Sequence, residues 1–287
     1  MALAAGSTST VSITTARSTE VVSKKALLRS NVTIVLDVSG SMADSKLDQA
    51  KQCIMELDAA LLKPGDRLSI VIFNDTVETK MLSMKKVPAV DESGPYARTV
   101  YDTNKLRRLL ASIRASGRTA LFDAMDAAIA GIEAHVMKRL KDGSGHTGAR
   151  PSTAVVRGGG RVGAAAAAAA ADTTTKFMQL IVLTDGADVS SVRATASSVG
   201  DKLRHPGSWA GRCNFHTCLV GVGGEAHAVL STIASGSTHV AVVNSADGVD
   251  GIKDGFKRVT TIIRATVETL TTVFTAKVVT SASTKRR

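Results

Sequence analysis

The sequence is poor in aromatic residues and in cysteine. Nine of its 287 residues are Phe, Trp or Tyr, and so few aromatic side chains leave little material for a surface that stacks nucleic-acid bases. The three cysteines are too few and too irregularly spaced for a disulfide framework or a four-ligand zinc site. These absences exclude a disulfide-bonded secreted scaffold and argue against a base-stacking nucleic-acid binder.

Long apolar runs are also absent. No stretch reaches the roughly 18 residues that a membrane-spanning helix requires, and the first 30 residues lack the apolar core of a secretory signal. We therefore expect a soluble, cytoplasmic protein. The first 19 residues contain no acidic residue and many Ser and Thr, so an organelle transit peptide is the alternative.

The net charge of +11 is concentrated in three segments. Residues 1–30, 138–176 and 277–287 together carry +12, so the remaining 207 residues carry −1. The strong hydrophobic periodicity lies in this nearly neutral remainder. The distribution argues against nucleic acid as the main partner and leaves binding through the basic segments as an alternative.

Short apolar segments rich in β-branched residues alternate with segments whose apolar residues recur at helical spacing. The segment 32–37, VTIVLD, is typical of a strand buried on both faces of a parallel sheet. Further strands are predicted at 67–73, 76–82 (at an edge), 178–184, 215–222 and 238–243. Helices are predicted at 44–62, 104–114, 120–141, 190–203, 226–234 and 249–264. This order predicts a doubly wound α/β sheet with helices on both faces.

Three regions depart from this alternation. Residues 142–176 include eight consecutive alanines and several glycines but almost no large apolar side chains, which indicates a low-complexity insertion. Residues 1–30 form an N-terminal extension, and residues 267–287 end in a basic tail. Both terminal regions contain apolar residues at period two, so we expect each to contribute a β-strand and the two strands to pair. The domain itself is expected to span residues 31–266.

Oxygen-bearing side chains follow two of the buried strands, where open α/β sheets bind ligands. Asp37, Ser39 and Ser41 alternate directly after the first strand, and Asp185 follows the strand at 178–184. Thr119 opens a helix between them. Carboxylates and hydroxyls form a hard, all-oxygen ligand set that suits Mg²⁺, Mn²⁺ or Ca²⁺.

The motifs DxSxS, GxTAL and TDG, in this order, resemble the metal-ion-dependent adhesion site of the von Willebrand factor type A domain. The resemblance covers about residues 31–266 and extends to the stretches KPGDRLSIVIF, GRTALFDAM and LIVLTDG. It implies a Rossmann-like, mostly parallel sheet with one antiparallel edge strand. The 66 residues from Thr119 to Asp185 are more than is usual, and the insertion accounts for most of the excess.

The resemblance also implies a function. Ser39 and Ser41 would bind one divalent ion directly, and Thr119, Asp37 and Asp185 would bind it directly or through water. Mg²⁺ is the expected ion, with Mn²⁺ or Ca²⁺ as alternatives, and an acidic side chain of a protein partner would complete its coordination. We expect a cation-dependent protein–protein interaction module that has no catalytic residues, no small-molecule substrate and no membrane span.

A metal-dependent hydrolase is the alternative from another functional class. Two carboxylates near a divalent ion could support hydrolysis, but no phosphate-binding loop accompanies them and no histidine lies near Ser39 or Ser41 in the sequence. Five of the histidines are scattered along the sequence, and none has a spacing typical of a metal site or a catalytic pair. We therefore expect a protein that is not an enzyme.

Replacing residues 142–176 by a short Gly/Ser linker should leave the melting temperature nearly unchanged. The segment offers almost nothing to bury, and the cost of loop closure grows only logarithmically with loop length. Thermal unfolding of the full chain and of the shortened chain checks this. A large fall in the melting temperature would mean that the alanine run packs against the domain.

Overall fold

A computed structural model describes residues 29–91, 94, 96–145, 176–207 and 214–284. Its strands are β1 (Arg29–Asp37), β2 (Arg67–Phe73), β3 (Val77–Lys86), β4 (Val100–Tyr101), β5 (Lys176–Thr184), β6 (Asn214–Val222) and β7 (Val240–Ser245). Its helices are α1 (Ser45–Leu61), α2 (Thr103–Ser112), α3 (Leu121–Gly145), α4 (Ala196–Arg204), α5 (Gly224–Ala234) and α6 (Val249–Thr284). A short 3-10 helix, Gly40–Met42, precedes α1.

The strands form one sheet in the order β4-β3-β2-β1-β5-β6-β7. Every neighbouring pair is parallel except β2 and β3, which are antiparallel. The predicted doubly wound, mostly parallel fold is therefore confirmed. The antiparallel strand lies one place inside the edge, because the two residues of β4 pair with Lys85 and Lys86 at the end of β3.

Two helical layers cover the sheet, and successive residues of β1 face opposite layers, as strand geometry requires. Ile34 and Leu36 pack in the core under α1, α2 and α6, whereas Val35 packs in the core under α3, α4 and α5. All three side chains have no exposed surface. Burial on both faces explains why β1 is an uninterrupted apolar run that ends at Asp37.

The termini and the insertion differ in how much of them the structure describes. The predicted N-terminal strand and residues 146–175 of the insertion lie outside the described residues. The structure describes the two elements that flank the insertion: α3 continues to Gly145 and β5 begins at Lys176. The linker replacement is therefore best made at residues 146–175.

The predicted C-terminal strand within 267–287 is wrong, because α6 continues through this region to Thr284. The period-two pattern was misleading since threonine fits a helix when its hydroxyl bonds to the carbonyl four residues earlier. Within the predicted segment, Thr269 and Thr272 both do so, at 2.9 and 3.0 Å. No Gly or Pro interrupts the helix after Gly255, and Val267 and Leu270 pack against the core.

Within the part of the chain that the structure describes, every helix is too short or too polar to span a lipid bilayer.

Candidate metal centre

The loops that carry the predicted site residues meet at the carboxyl edge of β1 and β5. Backbone hydrogen bonds hold the loop after β1 against the loop before α3: Gly40 N donates to Gly117 O at 2.9 Å, and Ser116 N donates to Val38 O at 2.8 Å. The third loop, after β5, lies alongside because β5 pairs with β1. The sheet therefore brings together residues that are far apart in sequence.

Asp37 is the buried carboxylate of this edge, with no exposed surface. Its Oδ1 accepts a hydrogen bond from Ser39 N at 2.8 Å, and its Oδ2 accepts one from Thr184 Oγ1 at 2.6 Å. Burial raises the pKa of Asp37 above its ordinary value, although these hydrogen bonds act in the opposite direction. The carboxylate is thus fixed in position at the end of β1.

Ser39, Ser41 and Asp185 form a continuous run of oxygen atoms beside Asp37. Ser39 Oγ lies 3.0 Å from Ser41 Oγ, and Ser41 Oγ donates to Asp185 Oδ1 at 2.6 Å. Ser39 is buried, whereas Ser41 is exposed to solvent. The run therefore reaches from the buried interior to the surface.

Thr119 lies at the same edge. Its main-chain oxygen accepts hydrogen bonds from Val189 N and Ser190 N at 3.0 and 3.1 Å, which ties it to the loop after β5. Its Oγ1 lies 3.6 Å from the position that a Cβ on Gly186 would occupy, so the hydroxyl faces the residue next to Asp185. All five predicted site residues are thus gathered at one edge of the sheet.

Sequence reasoning missed Lys46, in the first turn of α1. Its ammonium group lies 2.8 Å from Asp185 Oδ2 and 3.2 Å from Asp247 Oδ1. Asp247 lies in the loop between β7 and α6. The signal that could have found it is the short distance in sequence between Ser41 and the start of α1, which keeps the first helical turn near the site. Thr184, the last residue of β5, was also missed.

Asp123 and Asp188 fix the loop that follows Asp185. The carboxylate of Asp123 accepts hydrogen bonds from the backbone N–H groups of residues 192, 193 and 194 at 2.7–3.1 Å. Asp188 Oδ1 accepts one from Phe122 N at 3.2 Å, at the start of α3. These contacts hold residues 192–194 in a loop, and a capping box of Thr195 and Ser198 then starts α4 at Ala196 and not at the predicted residue 190.

The residues fit an oxygen-ligated divalent ion. Neighbouring ligands of an octahedral Mg²⁺ ion at about 2.1 Å lie about 3 Å apart, which is the separation of Ser39 Oγ and Ser41 Oγ. In the described part of the chain, no three His, Cys, Asp or Glu side chains cluster in a way that could hold a metal. An ion at this edge would therefore depend on the hydroxyl groups.

The family model of the von Willebrand factor type A domain matches residues 32–187, more than half of the chain. The chain therefore belongs to this family, whose members commonly mediate protein–protein interactions through a metal-ion-dependent adhesion site. No curated protein matches the sequence.

Solved structures resemble the chain at low sequence identity. A von Willebrand factor type A protein from Catenulispora acidiphila is 16% identical with a TM-score of 0.52, and the match covers 81% of this chain and 42% of that one. Proximal thread matrix protein 1 from the mussel byssus, in a structure with a zinc-occupied site motif, is 14% identical with a TM-score of 0.48, over 83% and 46% of the two chains. The chain thus spans less than half of either protein, and the first likeness supports the fold.

Replacing Asp123 by Ala should lower the free energy of unfolding by about 1–3 kcal/mol at pH 7, because it leaves the buried N–H of Ala194 without its acceptor. Burial opposes ionisation of Asp123, but the three backbone donors prevail and lower its pKa. The wild-type advantage should therefore be complete above the ordinary pKa of 3.8 and should shrink as pH falls through the lowered value.

Urea unfolding of wild type and Asp123→Ala between pH 7 and pH 3 measures this difference. Asp126→Ala, in the same helix, is the matched control, since its partly exposed ion pair with Lys202 contributes at most about 1 kcal/mol. A difference for Asp123→Ala that stays constant across this pH range would contradict the assignment of the stabilisation to the ionised carboxylate.

Proposed function

We propose that this chain is a divalent-cation-dependent protein–protein interaction module that binds an acidic side chain of a partner protein. The cation would be held by Asp37, Ser39, Ser41, Thr119 and Asp185. The observation that carries the proposal is the run of oxygen atoms from Ser39 through Ser41 to Asp185, with separations of 3.0 and 2.6 Å, beside the buried Asp37.

Asp37 supplies fixed negative charge at the base of this run. It forms no ion pair with Lys, Arg or His in the described part of the chain, and its hydrogen bonds come from Thr184 and Ser39. A buried carboxylate is costly unless a cation or several hydrogen bonds compensate for its lost hydration. The surroundings of Asp37 therefore favour a bound cation.

The hydroxyl oxygens are neutral and do not reduce the positive charge of a bound cation; they belong to Ser39, Ser41 and Thr119. When bound, a divalent ion supplies a Lewis-acidic centre that attracts an anionic oxygen of another protein. Mg²⁺ is our preferred ion, because it accepts hydroxyl, carboxylate and water ligands in octahedral geometry, with Mn²⁺ or Ca²⁺ as alternatives. The exposed position of Ser41 keeps the site accessible to a partner's Asp or Glu.

We propose that the site is not catalytic. A serine nucleophile is ordinarily activated by an imidazole or amine base. Here the two serines bond to each other and to the carboxylate of Asp185, which is itself paired with the Lys46 ammonium. No histidine bonds to either serine in the regions that the structure describes.

Cytoplasmic location, like the domain limits 31 and 266, stays a prediction.

Asp37→Asn should weaken Mg²⁺ binding at least tenfold, the order of loss seen when groups supporting a metal site are changed. Asparagine preserves the shape and removes the charge. Isothermal calorimetry with Mg²⁺ on wild type and variant measures the change, with Asp48→Asn as the matched control because the Asp48 side chain is 78% exposed and pairs with Lys51. Equal Mg²⁺ affinities in all three proteins would refute the site.

Retention of partner proteins should depend on the cation more than on salt. The nearly neutral body of the chain gives little long-range charge steering, so EDTA should release partners that a wash at roughly 300 mM salt retains. A pull-down with wild type and Asp37→Asn as baits tests this. Partners that survive EDTA, bind both baits and are lost in salt would indicate binding through the basic segments instead.

A further inference from the structure

Lys46 occupies the side of Asp185 that Ser41 leaves open. Asp185 has a fully buried side chain, with Oδ1 accepting from Ser41 and Oδ2 accepting from the Lys46 ammonium at 2.8 Å. The Lys46 side chain is itself only 23% exposed. A positive charge belonging to the protein thus lies within the group of residues proposed to hold a cation.

We propose that Lys46 determines the affinity of the site for divalent cations by competing with the ion for Asp185. This inference rests on the proposed function. Asp37 and Asp185 carry the two negative charges of the site, and the ion pair with Lys46 neutralises one of them. A cation that approaches Asp185 meets both a neutralised carboxylate and a neighbouring charge of its own sign.

Asp247 gives the Lys46 ammonium a second acceptor. Its Oδ1 lies 3.2 Å from Lys46 Nζ and is oriented by a hydrogen bond from Gly248 N at 2.8 Å. Because the ammonium already lies within reach of both carboxylates, it can leave Asp185 for Asp247 with little movement. Asp247 therefore favours cation binding indirectly, because it holds the Lys46 ammonium when Asp185 binds the ion.

A structural role for Lys46 predicts the opposite effect of its removal. If Lys46 only oriented Asp185, replacing it would leave the carboxylate misplaced and would weaken cation binding. If Lys46 competes, replacing it by the uncharged Met should strengthen Mg²⁺ binding by about tenfold, the scale on which neighbouring groups alter metal affinity. The direction of the change therefore separates the two roles.

Mg²⁺ calorimetry on the full chain tests the inference with four variants. Lys46→Met and Lys46→Gln should each bind Mg²⁺ about tenfold more tightly than wild type, whereas Lys46→Arg keeps the charge and should bind as wild type does. Lys51→Met is the matched control, since Lys51 lies in the same helix and pairs with the exposed Asp48, away from the site. Unchanged or weaker binding by both neutral Lys46 variants overturns the inference.

A double-mutant cycle tests the part assigned to Asp247. Asp247→Asn should weaken Mg²⁺ binding in the wild-type background and have no effect in the Lys46→Met background, because its action passes through Lys46. Equal weakening in both backgrounds would mean that Asp247 acts on the cation directly and would overturn this step.

Thermal unfolding gives a second readout that also checks folding. The rise in melting temperature on adding Mg²⁺ should be larger for Lys46→Met than for wild type, since tighter binding stabilises the folded state more. If wild type binds Mg²⁺ as tightly as Lys46→Met or more tightly, competition by Lys46 is refuted and the proposed function is not. If neither protein binds Mg²⁺, the proposed function itself fails.

Discussion

The buried carboxylate of Asp37 is the constraint on which the rest of the site depends. Removing a charge from water is expensive unless hydrogen bonds or a counter-ion compensate, and Asp37 has no exposed surface. Thr184 on β5 and the backbone of Ser39 supply its hydrogen bonds. Satisfying this one buried group therefore ties the ends of β1 and β5 to the loop that carries both serines.

The sheet makes this arrangement rigid. β1 lies between β2 and β5, and its residues fill both cores, so its carboxyl end has little freedom to move. Backbone hydrogen bonds from Gly40 and Ser116 then join the serine loop to the loop before α3. The carboxylate of Asp123 holds the third loop in the same way. Three segments that are far apart in the sequence are thereby held together at one edge of the sheet.

Much of this arrangement could be predicted from the sequence, because strands buried on both faces leave continuous apolar runs. β2 was located to the residue, and polar groups directly after β1 and β5 indicated the site. The prediction of a C-terminal strand failed for a physical reason: threonine and valine at period two suit a strand, but threonine hydroxyls can also bond within a helix. Local patterns alone do not decide between the two.

The contact between Lys46 and Asp247 could not have been predicted from the sequence. Lys46 belongs to a helical pattern, and a lysine in the first turn of an amphipathic helix is ordinarily a solvated side chain. Only the spatial order of the strands brings Asp247, which follows β7, to the edge where α1 begins. The charge balance at this edge is therefore a property of tertiary structure, whereas the oxygen-bearing residues themselves are visible in the sequence.

We propose that this edge of the sheet holds one divalent ion on hydroxyl and carboxylate oxygens. A crystal structure of the protein grown with Mn²⁺, with anomalous scattering recorded from the metal, tests it most directly. We expect one anomalous peak within about 2.3 Å of both Ser39 Oγ and Ser41 Oγ. No peak at these oxygens, or a peak bound only by surface carboxylates elsewhere, would contradict it.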